Sequence, residues 1–395
     1  MSQAMLARTA GLSRQTVHNV VHALTVTGQV HVDQGANGRE TLVSLRATTG
    51  VVIGVDLRYD VARAVLIEFP GGTRTDTEPT LLSAARDAAT EDIDAIVRLV
   101  ERLMADGGVT PADVLGLGLS LPQPYDARTR LIAPTPLMPG WAAEPVVPLL
   151  AERLGVAVVA ENDANAAALA EARWGAGRDC ADLVYVMAAY GLGAGIIADG
   201  RLFRGGTGMA GEIGHVTIDD RGPVCTCGKR GDLSSLASGR ALVNQMRALG
   251  DTRATLDGII ASARAGEVLS SRLIADAGRY IGMALAHVVG MLAPSLVVLG
   301  GPLAAAGNVI TDPIAAALGD MVIHPVVGGT RLEVSALGDD AALLGAVALV
   351  AEPYGVGTEA SPSWLLPPVS RPPHSAATSR APTDARSDST EKGHS

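Results

Sequence analysis

The chain has 395 residues, 48 % of them apolar, with a mean hydropathy of +0.27, so it is long enough for two or three domains and able to bury their cores, which argues against wholesale disorder. Aromatic residues make up only 3 %, leaving Val, Leu, Ile and Ala to build the core, a composition that suits buried parallel strands under helices and points to the α/β class. The net charge of −10 argues against nucleic-acid binding along the whole chain, but residues 1–46 carry Arg8, Arg14, Arg39 and Arg46 against Asp33 and Glu40, which makes this end +2 and the remainder −12.

Residues 1–30 read as two short helices joined by a turn. Gln3 to Thr9 is helical in composition, Ala10-Gly11-Leu12 makes the turn, and Ser13 is placed to cap a second helix through its hydroxyl. In that helix Val17, Val20, Val21 and Leu24 recur at helical spacing and predict one buried stripe, with Arg14, Gln15, His18 and Asn19 on the opposite face. Gly28 is expected to end the helix, and Gln29–Val32 and Thr41–Leu45 to form a wing-like hairpin around Gly35-Ala36-Asn37-Gly38. A helix-turn-helix needs such a tight turn so that its second helix can enter the major groove, and Ser13, Arg14, Gln15, Thr16, His18 and Asn19 are the candidate DNA contacts. The bland alternative is an ordinary helical hairpin. The segment opens on the first helix of the motif, leaving it shorter than the usual winged form.

From Val51 the pattern changes. Val51–Asp56 with Ala62–Ile67, and Leu183–Ala188 with Ala194–Ala198, read as hairpins at corresponding places in two halves, the mark of a duplicated two-lobed domain. Helices are expected at Glu91–Met104, Pro145–Leu154 and Val268–Leu292, and strands at Val114–Leu119, Val156–Ala160 and Leu296–Leu299. The most apolar stretch, Gly282–Leu299, is interrupted by His287 and Pro294, so a soluble, cytoplasmic chain with no membrane partner is expected. The three cysteines cannot form a disulfide framework, and Cys225-Thr226-Cys227 points to a reducing compartment and a metal. Residues 352–395, with seven Pro and eight Ser, are expected to be disordered, Trp364-Leu365-Leu366 being their one docking candidate.

Two long motifs stand in the middle of the chain: Ala160-Glu161-Asn162-Asp163-Ala164-Asn165-Ala166-Ala167-Ala168 and Gly208-Met209-Ala210-Gly211-Glu212-Ile213-Gly214-His215, the second followed by Cys225-Thr226-Cys227-Gly228. Together they resemble the ROK family of repressors, uncharacterised frames and sugar kinases, over roughly residues 1–350. The resemblance implies an actin-like, ribonuclease H-like fold with a sugar in the cleft between two lobes, divided here into a winged helix-turn-helix at 1–46, a sugar-kinase-like domain at 47–351 and the tail at 352–395. It further implies that Asp163 matches the catalytic general base, that Asn162, Asp163, Glu212 and His215 hold sugar hydroxyls, and that a structural zinc is bound by His215, Cys225 and Cys227. Asp232 stands where the family has its last Cys, and Ser234 where it has a sugar-binding Glu.

The chemistry of the residues agrees, since a carboxylate at a strand end beside a helix N-terminus can act as a base, although Asn162 and Asp163 can equally serve as helix caps. Phosphate handling departs further. The family's Asp-x-Gly-Gly-Thr turn reads Asp56-Leu57-Arg58-Tyr59-Asp60, which puts bulk and negative charge where backbone amides should meet phosphate. The nucleotide-side positions that remain are Asp56, Gly191, Gly193, Gly300 and Gly301, and the glycines suit a tight hairpin as well as a phosphate. ATP and magnesium are therefore not expected. The leading expectation is a promoter-binding regulator, a homodimer or larger homo-oligomer, whose effector is a sugar or sugar phosphate. An ATP-dependent sugar kinase with an appended DNA-binding module, and a scaffold with both sites decayed, remain as alternatives.

Overall fold

A computed structural model describes residues 2–26, 30–34, 41–45, 50–69, 73–83, 89–133, 135 and 138–352. Gly28, the turn at Gly35–Gly38, Arg39, Glu40, Arg46 and Trp364-Leu365-Leu366 lie outside the described residues.

Helix α1 (Gln3–Ala10) ends at Gly11, whose φ of 64° makes the left-handed turn into α2 (Arg14–Val26). Strands β1 (Val30–Gln34) and β2 (Thr41–Leu45) pair antiparallel. Ala7, Val17, Val21, Val30 and Val43 form the small core of this unit. Val20, expected in the buried stripe, is 47 % exposed instead. The two turns of α1 and a two-stranded sheet are too narrow to cover the whole apolar arc, so only its centre is buried.

Two five-stranded paths of identical order follow. Strands β3 (Gly50–Leu57), β4 (Val61–Phe69), β5 (Arg74–Asp76) and β6 (Thr80–Leu81) lead to α3 (Ala89–Asp106), β7 (Val114–Leu121), the ribbon β8 (Tyr125–Asp126) and β9 (Leu131–Ile132), α4 (Pro139–Ala143), α5 (Val146–Leu154) and β10 (Val158–Asn162). Their sheet runs β10-β7-β3-β4-β5, with β6 also on β4. After α6 (Asp163–Trp174) come β11 (Leu183–Ala188), β12 (Leu192–Ala198), β13 (Arg201–Leu202), α7 (Leu233–Ala237), α8 (Gly239–Ala248), α9 (Leu256–Arg264), α10 (Val268–Leu292), β14 (Leu296–Gly300), α11 (Asn308–Met321), α12 (His324–Val327), β15 (Arg331–Val334) and α13 (Ala341–Ala351). The second sheet reads β15-β14-β11-β12-β13, and in both sheets the first strand pairs antiparallel with its hairpin partner and parallel with the strand on its other side. This is the duplicated ribonuclease H-like arrangement the resemblance implied. Observed ends differ from the expected ones by a few residues; Pro145 precedes α5 rather than opening it, and β12 starts at Leu192.

Each sheet has an apolar cluster of its own, and a third cluster, built on α6 and α13, joins the sheets. The alanine run of α6 makes that close approach possible. A Cβ on Gly195 of β12 would lie 2.3 Å from the Ala164 carbonyl oxygen, and one on Gly345 of α13 2.0 Å from that of Ala166. The N-terminus of α6 is thereby fixed at the boundary between the lobes. No helix among the described residues is long and apolar enough to cross a membrane.

Candidate functional site in the cleft between the lobes

Asn162 ends β10 and caps α6: its Oδ1 accepts the amides of Ala164 and Asn165 at 3.0 and 3.3 Å, while its Nδ2 donates to the Gln123 carbonyl at 3.2 Å. The capping role is therefore real, and it still leaves one amide hydrogen of Asn162 for a ligand. Asp163 occupies the first helical position, with Oδ1 taking the Ala164 amide at 2.7 Å. Burial, followed by the nearby charges of Asp56 and Glu212, pushes its carboxyl up to about 7, against the opposing pull of the Ala164 amide and Arg58. Glu212 arrives from the second lobe, where Gly211 is bonded to Ala194 of β12, and its carboxyl is also raised by burial, an effect His215 moderates. Asn162, Asp163 and Glu212 thus meet at one cleft. His215 turns Nδ1 to Asp232 at 2.9 Å, and Nε2 has no protein partner among the described residues. Buried Ser234 packs beside this turn, since a Cβ on Gly214 would lie 2.5 Å from its Oγ.

The opposite end of the cleft is filled by side chains. Asp56, 2 % exposed, accepts Arg58 Nε at 3.1 Å and Arg63 Nη2 at 3.2 Å on Oδ2, and the Ser120 hydroxyl at 3.1 Å on Oδ1. Arg58 continues to Asp339 at 2.8 Å, and Arg63 to Asp339 and Asp340 at 3.0 and 3.2 Å. Arg74 joins Asp76 and Asp340 at 2.7 and 2.8 Å. Three arginines against four aspartates leave the cluster net negative. Arg58 is thus engaged at both ends by carboxylates of the cluster. Tyr59 donates to the Pro122 carbonyl at 3.3 Å and spans to the second glycine loop, where a Cβ on Gly191 would lie 3.5 Å from its hydroxyl oxygen. Its hydroxyl is pushed up to about 12 by burial, with Asp163 and Glu212 adding to that and Arg240 opposing it.

Two of the remaining glycines have packing reasons of their own: Gly300 abuts the buried Tyr185 ring, and Gly301, with φ 79°, lies against the Ala188 backbone, whereas a Cβ on Gly193 would make only ordinary contact with Ala164 of α6.

His215, Cys225, Cys227 and Asp232 form a second cluster whose potential ligand atoms all lie within 4.8 Å of one another. Asp232 is wholly buried, with Oδ1 capping α7 through the Ser235 amide at 2.9 Å and Oδ2 meeting His215 Nδ1 and, at 3.4 Å, Cys227 Sγ. One nitrogen, two sulfurs and one carboxylate oxygen make a donor set compatible with a structural zinc. The Asp232 oxygen left over from capping is the one that faces His215 and Cys227.

In the N-terminal unit, Ser13 caps α2, its Oγ accepting the Thr16 amide at 3.0 Å. Arg14, Gln15, Thr16, His18 and Asn19 are all exposed on one side of α2, and Gln15 Nε2 donates to Asn19 Oδ1 at 3.1 Å.

The sequence reading missed Arg63, Arg74, Asp339 and Asp340. A charged residue between Ala62 and Ala64 in the otherwise apolar stretch 61–67 is the available signal, because a buried guanidinium requires carboxylate partners. It also missed Arg204, which bonds Glu161 across the lobes.

Three likenesses to known proteins accord with this geometry. The xylose repressor of Caldicellulosiruptor bescii is 28 % identical over 372 residues, 89 % of this chain and 91 % of that protein. The structure of a ROK family transcriptional regulator, a homolog of the E. coli MLC protein, matches with a TM-score of 0.74 over 91 % of this chain and 93 % of its own, and at 22 % identity it shows the fold. A ROK family glucokinase from Streptomyces griseus, solved with glucose and AMPPNP, is 30 % identical with a TM-score of 0.63 and covers 76 % of this chain and 99 % of its own. The model of the ROK family matches residues 32–353, and with most of its length so accounted for the chain belongs to the ROK family.

Proposed function

We propose that the protein is a transcriptional repressor whose hold on promoter DNA is modulated by a sugar bound in the cleft. The observation that carries this reading is the contrast between the two ends of that cleft. The hydroxyl-binding side keeps Asn162, Asp163, Glu212 and the free Nε2 of His215, groups whose pairing with sugar hydroxyls discriminates by the cost of leaving them unsatisfied. The phosphate side is occupied by Tyr59 and a net-negative Arg–Asp cluster, and phosphoryl transfer depends on positioning and stabilising phosphate charge.

The name of the repressor relative and the exposed polar face of α2 favour the same conclusion. The division at 1–46, 47–351 and 352–395 follows from it, with the first unit contacting DNA through Ser13, Arg14, Gln15, Thr16, His18 and Asn19. A zinc held by His215, Cys225, Cys227 and Asp232 supplies a cross-link between the Glu212–His215 turn and α7. A homodimer, reading two half-sites, suits this mode of recognition.

One observation favours a kinase as second reading: Asp163, raised to about 7, has the properties of a general base at neutral pH. The two separate in a mobility-shift assay on the protein's own promoter. A repressor shifts the fragment, and a sugar that raises its melting temperature alters the shift without ATP; a shift indifferent to every such sugar contradicts the proposal.

A further inference from the structure

Glu161, the residue before Asn162 on β10, is 0 % exposed. A carboxylate so placed needs its charge and lone pairs answered from within the protein. Its Oε1 accepts the Asn162 amide and Asn165 Nδ2, both at 3.0 Å, and its Oε2 accepts Arg204 Nε at 2.6 Å. The first two donors belong to the same turn as Glu161, whereas Arg204 comes from the other lobe.

Arg204 follows β13, on a segment tied to the second sheet by the Phe203 amide bonded to the Ile196 carbonyl at 2.8 Å. It heads the loop that returns to β12 at Gly211 and delivers Glu212. The same loop meets the first lobe again at Gly208, φ 80°, where a Cβ would stand 2.6 Å from Asp126 Oδ1 of β8. The segment from Arg204 to Glu212 therefore bridges the cleft, and Arg204 is its charged foot on the first lobe. Among the described residues Arg204 is the sole cation bonded to Glu161, and its Nη1 and Nη2 have no further protein partner.

Resting on the reading of the cleft as a sugar site, we propose that Arg204 is a positioning residue for monosaccharide binding: through Glu161 it holds the Glu212 loop of the second lobe in register with the Asn162–Asp163 turn of the first. Glu161 joins the two walls directly, one oxygen fixing the backbone of the turn and the other fixing the loop. A ligand whose hydroxyls pair with both Asn162 and Glu212 then meets a preset spacing and spends little of its binding energy on ordering the loop.

The test is a thermal-shift and calorimetric titration of the full chain with D-xylose, D-glucose and N-acetyl-D-glucosamine. Replacing both partners, Glu161→Gln with Arg204→Met, avoids a buried unpaired charge and keeps an acceptor for Asn162 and Asn165. The double variant leaves one buried amide donor unpaired, so it should melt a few degrees lower yet stay folded and keep the DNA shift, while binding the responding sugar about tenfold or more weakly. Arg204→Lys, which keeps the charge, should recover much of the affinity; should the double variant fail to fold, Arg204→Gln against Arg204→Lys makes the same comparison. Wild-type affinity in the double variant, or equal weakening in Arg204→Lys and Arg204→Gln, overturns the proposal. A wild-type protein indifferent to all three sugars overturns the sugar-site reading itself and this inference with it.

Discussion

Asp163→Asn should stabilise the protein, and increasingly so as the pH rises. The carboxyl titrates at about 7 in the folded chain against an ordinary value of 3.8, so between those values the folded state keeps a proton that the unfolded chain releases. Stability contributed by this site is therefore full at low pH and lost progressively as the pH climbs from about 4 to 7. One pKa unit corresponds to about 1.4 kcal/mol, which bounds the penalty at about 4 kcal/mol, and the partial solvent exposure of Asp163 reduces the expected figure to about 1–2 kcal/mol. Asparagine keeps the acceptor that Ala164 uses but cannot ionise beside Asp56 and Glu212. Loss of a negative charge at the α6 N-terminus offsets the gain by about 0.5 kcal/mol. Urea unfolding of both chains at pH 5 and pH 8 reads the effect directly. A variant that is destabilised at pH 8, or whose advantage is the same at both pH values, would refute the electrostatic account of the cleft.

Three further outcomes are expected. Arg14→Ala with Asn19→Ala should abolish a salt-sensitive shift of the protein's own promoter, because both side chains lie on the exposed face of α2; an unchanged shift places the DNA contacts elsewhere. Chelator-washed protein should carry about one zinc per chain by elemental analysis, and less than about a tenth of an equivalent rules the His215–Asp232 site out. Arg63→Met should cost about 2–3 kcal/mol in urea unfolding, since buried Asp56 then keeps only Arg58 as a cationic partner while Asp339 and Asp340 keep Arg58 and Arg74; a loss below about 1 kcal/mol would show that Arg63 does not hold the hairpin.

Local pattern carried the sequence reading as far as local physics reaches. The expected and observed ends of helix α10 coincide because a long helical periodicity leaves little freedom, and those of β11 coincide because its short apolar run is sharply bounded. The duplication was legible as two hairpins, although the matching strand order is visible only in the sheets. Val20 was misplaced because periodicity gives the centre of an apolar arc but not its width, which the partner surface sets. Arg63 in an apolar stretch signals a need for carboxylate partners, but nothing along the chain says that residues 339 and 340 supply them. Motifs located the cleft; how Tyr59 closes one end of it, and how Glu161 and Arg204 span it, are consequences of tertiary packing.

The central claim is that the cleft retains a sugar while its phosphate side is closed, and a coupled phosphorylation assay tests it most directly. Purified protein is incubated with ATP, magnesium and each sugar that raises its melting temperature, with Asp163→Asn as control. The account predicts a sugar-induced thermal shift and no turnover above background. Turnover on the order of one per second or more, lost in the Asp163→Asn protein, would contradict it and make this chain a kinase.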